Sequence, residues 1–131
     1  QVACASLFKN NTFYKVCTDD SGNNHGLFRS SGGGTFEVRN CLFVQTGVVG
    51  MTDPANPRGN FCRQASNMVP SPEYANNNIY GCYNIFGGLY TSASAVSATE
   101  INPGLVDPDN GNFKVTNQVI IDNQIGDPRW L

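Results

Sequence analysis

Hydrophobic and polar residues alternate in three stretches of the chain, at residues 7–17, 35–46 and 73–89. The clearest case is 35–46, in which Phe36 and Val38 are apolar while Glu37 and Arg39 are charged. Alternation with a period of two residues is typical of a β-strand that buries one face. The pattern therefore predicts short strands in each stretch.

A four-residue motif lies within each of these stretches. It consists of Asn, any residue, an aliphatic residue or Phe, and then an aromatic residue. The copies are Asn11-Thr12-Phe13-Tyr14, Asn40-Cys41-Leu42-Phe43 and Asn77-Asn78-Ile79-Tyr80. Because Asn tolerates the left-handed backbone conformation better than other residues with a side chain, each copy predicts a corner between two strands.

The apolar residues beside these corners are predicted to point into one shared interior. They are Phe8, Phe13, Phe36, Val38, Leu42, Tyr74 and Ile79. A single coil of this kind cannot bury its apolar face, whereas stacked coils form a continuous core. We therefore expect an all-β protein, a right-handed parallel β-helix or only its C-terminal coils. The alternative is that three Asn-rich turns coincide by chance.

Length and composition agree with one β-rich domain. The 131 residues suit a single domain, 1–131, and only 14% of them are charged, against about 25% in an average soluble domain. Four Xaa-Pro pairs predict an irregular loop at 47–72. Asn110-Gly111 predicts a tight turn before a last strand at 112–115. Residues 116–131, with the single Trp130, are predicted to cap an apolar end.

Charge and cysteine content exclude some functions. The net charge of −2, with no run of Lys or Arg, gives no field for nucleic acid, and no apolar run is long enough for a transmembrane segment. The five cysteines include no CxxC pair, and His25 is the sole histidine, so no zinc site is predicted. We interpret most cysteines as core residues; a disulfide framework and a thiol paired with His25 are the alternatives.

The C-terminal sequence resembles a known family. Its residues 102–108 (NPGLVDP), 110–115 (NGNFKV) and 125–130 (IGDPRW) resemble the end of β-helix domains from Bacteroidetes that are similar in fold to pectate lyases. Asn11, Asn40 and Asn77 also fit that family. The resemblance implies a lipoprotein at the extracellular face of the outer membrane, or a secreted protein, encoded beside glycan-uptake systems.

The function expected from these features is non-catalytic binding of a polysaccharide or oligosaccharide, as an accessory subunit of an outer-membrane glycan importer. Aromatic side chains stack on sugar rings, and cations bind acidic groups. The candidate substrate-binding residues are Arg58, Arg63, Tyr80, Tyr83 and Tyr90. No catalytic residue, metal ligand or cofactor is predicted for this role.

Two alternatives stay open. A pectate-lyase-like polysaccharide lyase needs Ca²⁺, held by several carboxylates, and a basic residue. Asp19 and Asp20 are candidate calcium ligands, and Arg29 or Arg39 is a candidate base, but neighbouring residues of a strand point to opposite faces. The other alternative is a structural subunit of an outer-membrane assembly.

Overall fold

The fold is built from short β-strands. A computed structural model describes residues 4–18, 28–29, 34–50, 62–63, 73–83 and 98–131. The strands are β1 Cys4–Lys9, β2 Thr12–Tyr14, β3 Phe28–Arg29, β4 Gly34–Arg39, β5 Leu42–Val44, β6 Cys62–Arg63, β7 Glu73–Ala75 and β8 Asn78–Tyr80. The described helices are the short helix α1, Gln118–Asp122, and the 3-10 helices Pro108–Asn110 and Pro128–Trp130.

The strands form three parallel sheets in the orders β1-β4-β7, β2-β5-β8 and β3-β6. The described strands therefore fall into three repeats, β1 to β3, β4 to β6, and β7 with β8, and each sheet takes one strand from each repeat it includes. We call β2-β5-β8 the middle sheet. The predicted all-β class is confirmed, since the described elements are mostly strands, and the strands that pair are parallel.

Asn residues do turn the corners between strands, but the repeat alignment predicted from sequence is wrong by one residue. The left-handed residues at these corners are Asn10, Asn40 and Asn76, with φ of 58°, 54° and 50°. Asn77 is instead buried, and its Oδ1 accepts a hydrogen bond of 2.9 Å from the Cys41 backbone N–H. Since Asn10-Asn11 and Asn76-Asn77 are adjacent pairs, the sequence allowed two alignments, and strand pairing selects one.

The middle sheet is buried on both faces at β5. Phe43 stacks on Phe13 from one face, with ring centroids 4.9 Å apart. Leu42 and Val44 point to the opposite face, because side chains alternate along a strand. The prediction that Leu42 shares an interior with Phe36 and Val38 is therefore wrong, although all three are buried.

Residues 101–131, which we call the tail, cover that second face of the middle sheet. The apolar side chains there are Leu42, Val44, Val115, Ile120 and Ile125. Helix α1 begins after Asn117, whose side chain accepts a hydrogen bond from the Val119 N–H at 3.0 Å. The helix buries Ile120, and this tertiary contact stabilises a helix that the short apolar run 119–121 alone does not predict.

Polar contacts fix the tail to all three repeats. The Asp127 N–H donates to Thr12 Oγ1 at 3.0 Å, and the Gly126 N–H donates to the Asn40 carbonyl at 2.9 Å. Asn76 Nδ2 donates to the Asn123 carbonyl at 3.1 Å. The corner residues of the sheets thus also bind the tail. Closure of an apolar end by residues 116–131 stays a prediction.

Two further sequence predictions can be compared with the described residues. Strand β6 lies inside 47–72, which was predicted to be irregular, and it pairs with β3. In place of a strand at 112–115 there is one antiparallel bridge, Asp107 to Asn112, around the predicted Asn110-Gly111 turn. In the part of the chain that the structure describes, no helix has the length and apolar character needed to cross a membrane.

Candidate functional site

A cleft of about 140 Å³ lies between the middle sheet and the tail. We call it the tail cleft. Four of its residues, Tyr14, Val44, Gln45 and Tyr80, belong to the sheet or follow its strands, and four, Asn102, Pro103, Leu105 and Pro108, belong to the tail. The cleft therefore exists only because the tail folds back over the sheet.

The floor of the tail cleft is a row of side chains at one register position. Tyr14 pairs with Val44, and Val44 pairs with Tyr80, in the parallel strands β2, β5 and β8. Neighbouring strands lie about 4.8 Å apart, so the two tyrosines are separated by about 10 Å across the sheet. Next in the chain come Lys15 and Gln45, with φ of 49° and 50°, which turn the backbone at the edge of the floor.

Tyr14 is held by three groups. Its hydroxyl donates a 2.7 Å hydrogen bond to Asp109 Oδ1. Lys15 Nζ lies 4.9 Å from its ring centroid, and Phe113 approaches at a centroid distance of 5.7 Å and an interplanar angle of 67°. Phe113 in turn contacts Trp130 edge to face. These contacts order the Tyr14 ring before any ligand arrives.

The 3-10 helix Pro108–Asn110 positions Asp109 at the rim of the tail cleft. Asn110 Nδ2 donates to both carboxylate oxygens of Asp107 at 3.0 Å, and Gly111 ends the turn at φ 86°. Gly is suited to this position because it has no Cβ to oppose a positive φ. The turn that Asn110-Gly111 predicted is thus confirmed, and it carries a carboxylate to the sheet.

Lys15 and Asp109 form an exposed ion pair at this rim, with Lys15 Nζ 2.5 Å from Asp109 Oδ1. The hydrogen bond from Lys15 lowers the pKa of Asp109, and Tyr14 lowers it further. The same bond raises the pKa of Lys15. Both groups are therefore ionised at neutral pH, and their charges cancel.

The tail cleft offers two kinds of contact to a ligand. Tyr14 and Tyr80 supply partly buried aromatic surface, and Gln45 and Asn102 supply amide groups that both donate and accept hydrogen bonds. Ligand pockets commonly measure about 300–1,000 Å³, so this cleft suits one ring or side group of a longer ligand.

Among the substrate-binding residues predicted from sequence, the structure places Tyr80 in the tail cleft. Tyr83 follows β8 but does not line the cleft, and its N–H donates to the Thr46 carbonyl at 2.9 Å. Arg63 is the last residue of β6 and pairs in register with Arg29. Arg58 and Tyr90 lie outside the described residues.

The described structure includes only part of the residue set considered for a calcium-dependent lyase. Arg39, a candidate base, forms an ion pair with Glu37. The candidate calcium ligands Asp19 and Asp20 lie outside the described residues, as does His25, which was considered only as the partner of a thiol. Over the described ranges, no group of three or more His, Cys, Asp or Glu residues is arranged to hold a metal ion. The calcium site stays a prediction.

Three cysteines are described with their side chains, and all three are free thiols: Cys17, Cys41 and Cys82. Burial raises the pKa of each of them, that of Cys82 to about 11. A thiol with a raised pKa is a poor nucleophile at neutral pH because little thiolate is present. These three cysteines therefore behave as packing residues.

Sequence reasoning missed Tyr14 as a member of the site, although a signal was present. Tyr14 and Tyr80 are the last residues of two copies of the Asn motif, which places them at equivalent positions of their strands. The tail residues of the cleft gave no comparable signal, since their approach depends on how the tail packs.

Family membership follows from a match over almost the whole chain. No curated protein and no solved structure matches the sequence. One family, described as a domain of unknown function (DUF5123), matches residues 6–130, a range that includes every residue of the tail cleft. The chain therefore belongs to the DUF5123 family.

Proposed function

We propose that this protein is a non-catalytic glycan-binding module built on a right-handed parallel β-helix. The first argument for a β-helix is that the parallel sheets take one strand from each successive repeat. The left-handed Asn residues that recur at equivalent corners support it too. Right-handedness is the expected hand, because about 98% of crossovers between parallel strands of one sheet are right-handed.

The observation that carries the binding proposal is the pair of tyrosines in the tail cleft. Tyr14 and Tyr80 lie two strands apart at one register position, with Gln45 and Asn102 beside them. Aromatic rings pack against the apolar faces of sugars, and amides exchange hydrogen bonds with sugar hydroxyls. An open cleft of this size suits one sugar ring of an extended polysaccharide, with the neighbouring units outside it.

The proposed setting is the surface of a bacterial cell, where the module serves an outer-membrane glycan importer as an accessory subunit. The support is the resemblance of residues 102–108, 110–115 and 125–130 to surface β-helix proteins of Bacteroidetes. The first of these segments contains all four tail residues that line the cleft. The resembling sequence thus includes the tail side of the candidate site.

Affinity gel electrophoresis against a panel of soluble polysaccharides, including xylan, glucomannan, laminarin and pectin, tests this proposal. We expect at least one of them to retard the wild-type protein. Tyr80→Ala should weaken that binding about tenfold, which corresponds to about 1.4 kcal/mol and matches the loss of one aromatic contact. Tyr83→Ala is the matched control, because it removes a tyrosine three residues away that does not line the cleft.

Two binding results would overturn the proposal. One is that no polysaccharide of the panel retards the wild-type protein while it still co-purifies with importer subunits, which would support the structural role. The other is an equal loss for Tyr80→Ala and Tyr83→Ala, which would remove the tail cleft from binding. Calcium-dependent release of unsaturated uronate from pectin would instead establish the lyase.

A further inference from the structure

We infer that the tail cleft selects neutral sugars over uronic acids, because Asp109 neutralises Lys15 at its rim. This inference rests on the proposed glycan binding and adds the chemical class of the sugar. It begins from the lining of the cleft. None of the eight residues that line it is Asp, Glu, Lys, Arg or His.

The cation at the rim is already engaged. Lys15 Nζ and the Tyr14 hydroxyl both donate to the same oxygen, Asp109 Oδ1, at 2.5 and 2.7 Å. A second carboxylate, Asp107, belongs to the same turn and is bound by Asn110 Nδ2. The charge of Lys15 is therefore already paired with that of Asp109, and Asp107 adds no cation to the turn.

A uronate entering this cleft would meet an unfavourable field. Its carboxylate would lose water without gaining an unpaired cation, and transfer of an uncompensated charge from water is costly. Because the Lys15 and Asp109 charges cancel, this pair offers it no net attraction. The hydroxyls of a neutral sugar, in contrast, need no cation and can exchange hydrogen bonds with the Gln45 and Asn102 amides. The amides of the cleft and the paired charges at its rim thus favour neutral sugars over uronates.

Asp109→Asn tests this inference, since it keeps the size of the side chain and removes its charge. With Lys15 released, affinity for polygalacturonate should rise roughly fivefold at low ionic strength, the scale of an exposed charge contact, and the gain should fall as salt is added. Affinity for the neutral polysaccharides that bind the wild-type protein should change less than about twofold. The measurement is isothermal titration with each polysaccharide.

Two further variants identify the cause of any gain. Asp122→Asn, in α1 of the same tail, changes the net charge equally but removes a carboxylate that accepts from Gln118 and does not line the cleft. It should leave polygalacturonate binding unchanged. Adding Lys15→Gln to Asp109→Asn should abolish the gain, because the released ammonium group is then absent.

The inference is overturned if the wild-type protein binds polygalacturonate more tightly than every neutral polysaccharide. Equal gains for Asp109→Asn and Asp122→Asn would also overturn it, since net charge alone would then explain them. Binding of neutral polysaccharides without any gain in Asp109→Asn overturns the inference and leaves the proposed function standing. Absence of all binding by the wild-type protein overturns both.

Discussion

The variant Ile120→Ala tests how much the packing of the tail on the middle sheet stabilises the protein. Ile120 has no exposed surface, and it packs with Leu42 and Val44 of β5 and with Val115 and Ile125 of the tail. Val119, the preceding residue of the same helix, is 51% exposed. Val119→Ala is therefore a matched control that alters the helix without altering the core.

The expected loss follows from burial. Ile→Ala removes roughly three methylene equivalents at about 0.8 kcal/mol each, and the cavity left behind adds about 1 kcal/mol. The better helix propensity of Ala returns about 0.4 kcal/mol. The net loss in the free energy of unfolding is about 3 kcal/mol, which lowers Tm by roughly 10 °C for a domain of this size. Val119→Ala should stay within about 0.5 kcal/mol of the wild type.

Urea unfolding followed by circular dichroism gives the global free energy of unfolding, and amide hydrogen exchange at residues 115–126 gives the local value. Ile120→Ala should lower the local value by about 3 kcal/mol whether the tail unfolds with the sheets or before them. An unchanged m value would indicate that the tail and the sheets unfold together.

The reasoning is refuted if Ile120→Ala and Val119→Ala have the same effect on both measurements. Such a result would mean that α1 does not pack on the middle sheet, and the tail cleft would then lose one of its walls.

The other predictions concern the backbone and the thiols. Gly126→Ala should lower the free energy of unfolding in urea by about 2–4 kcal/mol, because φ is +113° and a Cβ would lie 2.9 Å from Thr12 Oγ1. Gly111→Ala, at φ +86° with open space around the added Cβ, should lower it by only about 1 kcal/mol. Equal losses would contradict the close packing at Gly126. Asn40→Ala should lower the free energy of unfolding by about 1–2 kcal/mol, because Ala adopts φ 54° only with strain. Asn40→Gly should lower it clearly less, because Gly adopts a positive φ readily. Equal losses would contradict a backbone cause. With a pKa of about 11, Cys82 is about 0.1% thiolate at pH 8. Iodoacetamide should therefore label Cys82 far more slowly in the folded protein than in urea, which peptide mass spectrometry can measure. Equal labelling rates would contradict the burial of Cys82.

The predicted strands survive comparison with the structure better than the predicted register. Alternation around Phe36 and Val38 follows from the two-residue period of any strand, so it identifies β4 without knowledge of its partners. The corner residues Asn10 and Asn76 depend on which strand pairs with which, and adjacent asparagines are chemically equal in the sequence. A shift of one residue therefore moved Leu42 to the wrong face.

Taken alone, the sequence determined that this protein forms short strands with asparagine at their corners, because backbone preference and side-chain alternation are local properties. It also identified Tyr80 as a candidate binding residue from its chemistry. Only the tertiary structure decided that residues 101–131 fold onto the middle sheet, that a short apolar run becomes helix α1, and that Asp109 reaches Lys15 and Tyr14. The two contacts of Asp109 join residues more than 90 positions apart. Their free energy arises from burial and charge pairing between distant segments, which no local pattern encodes.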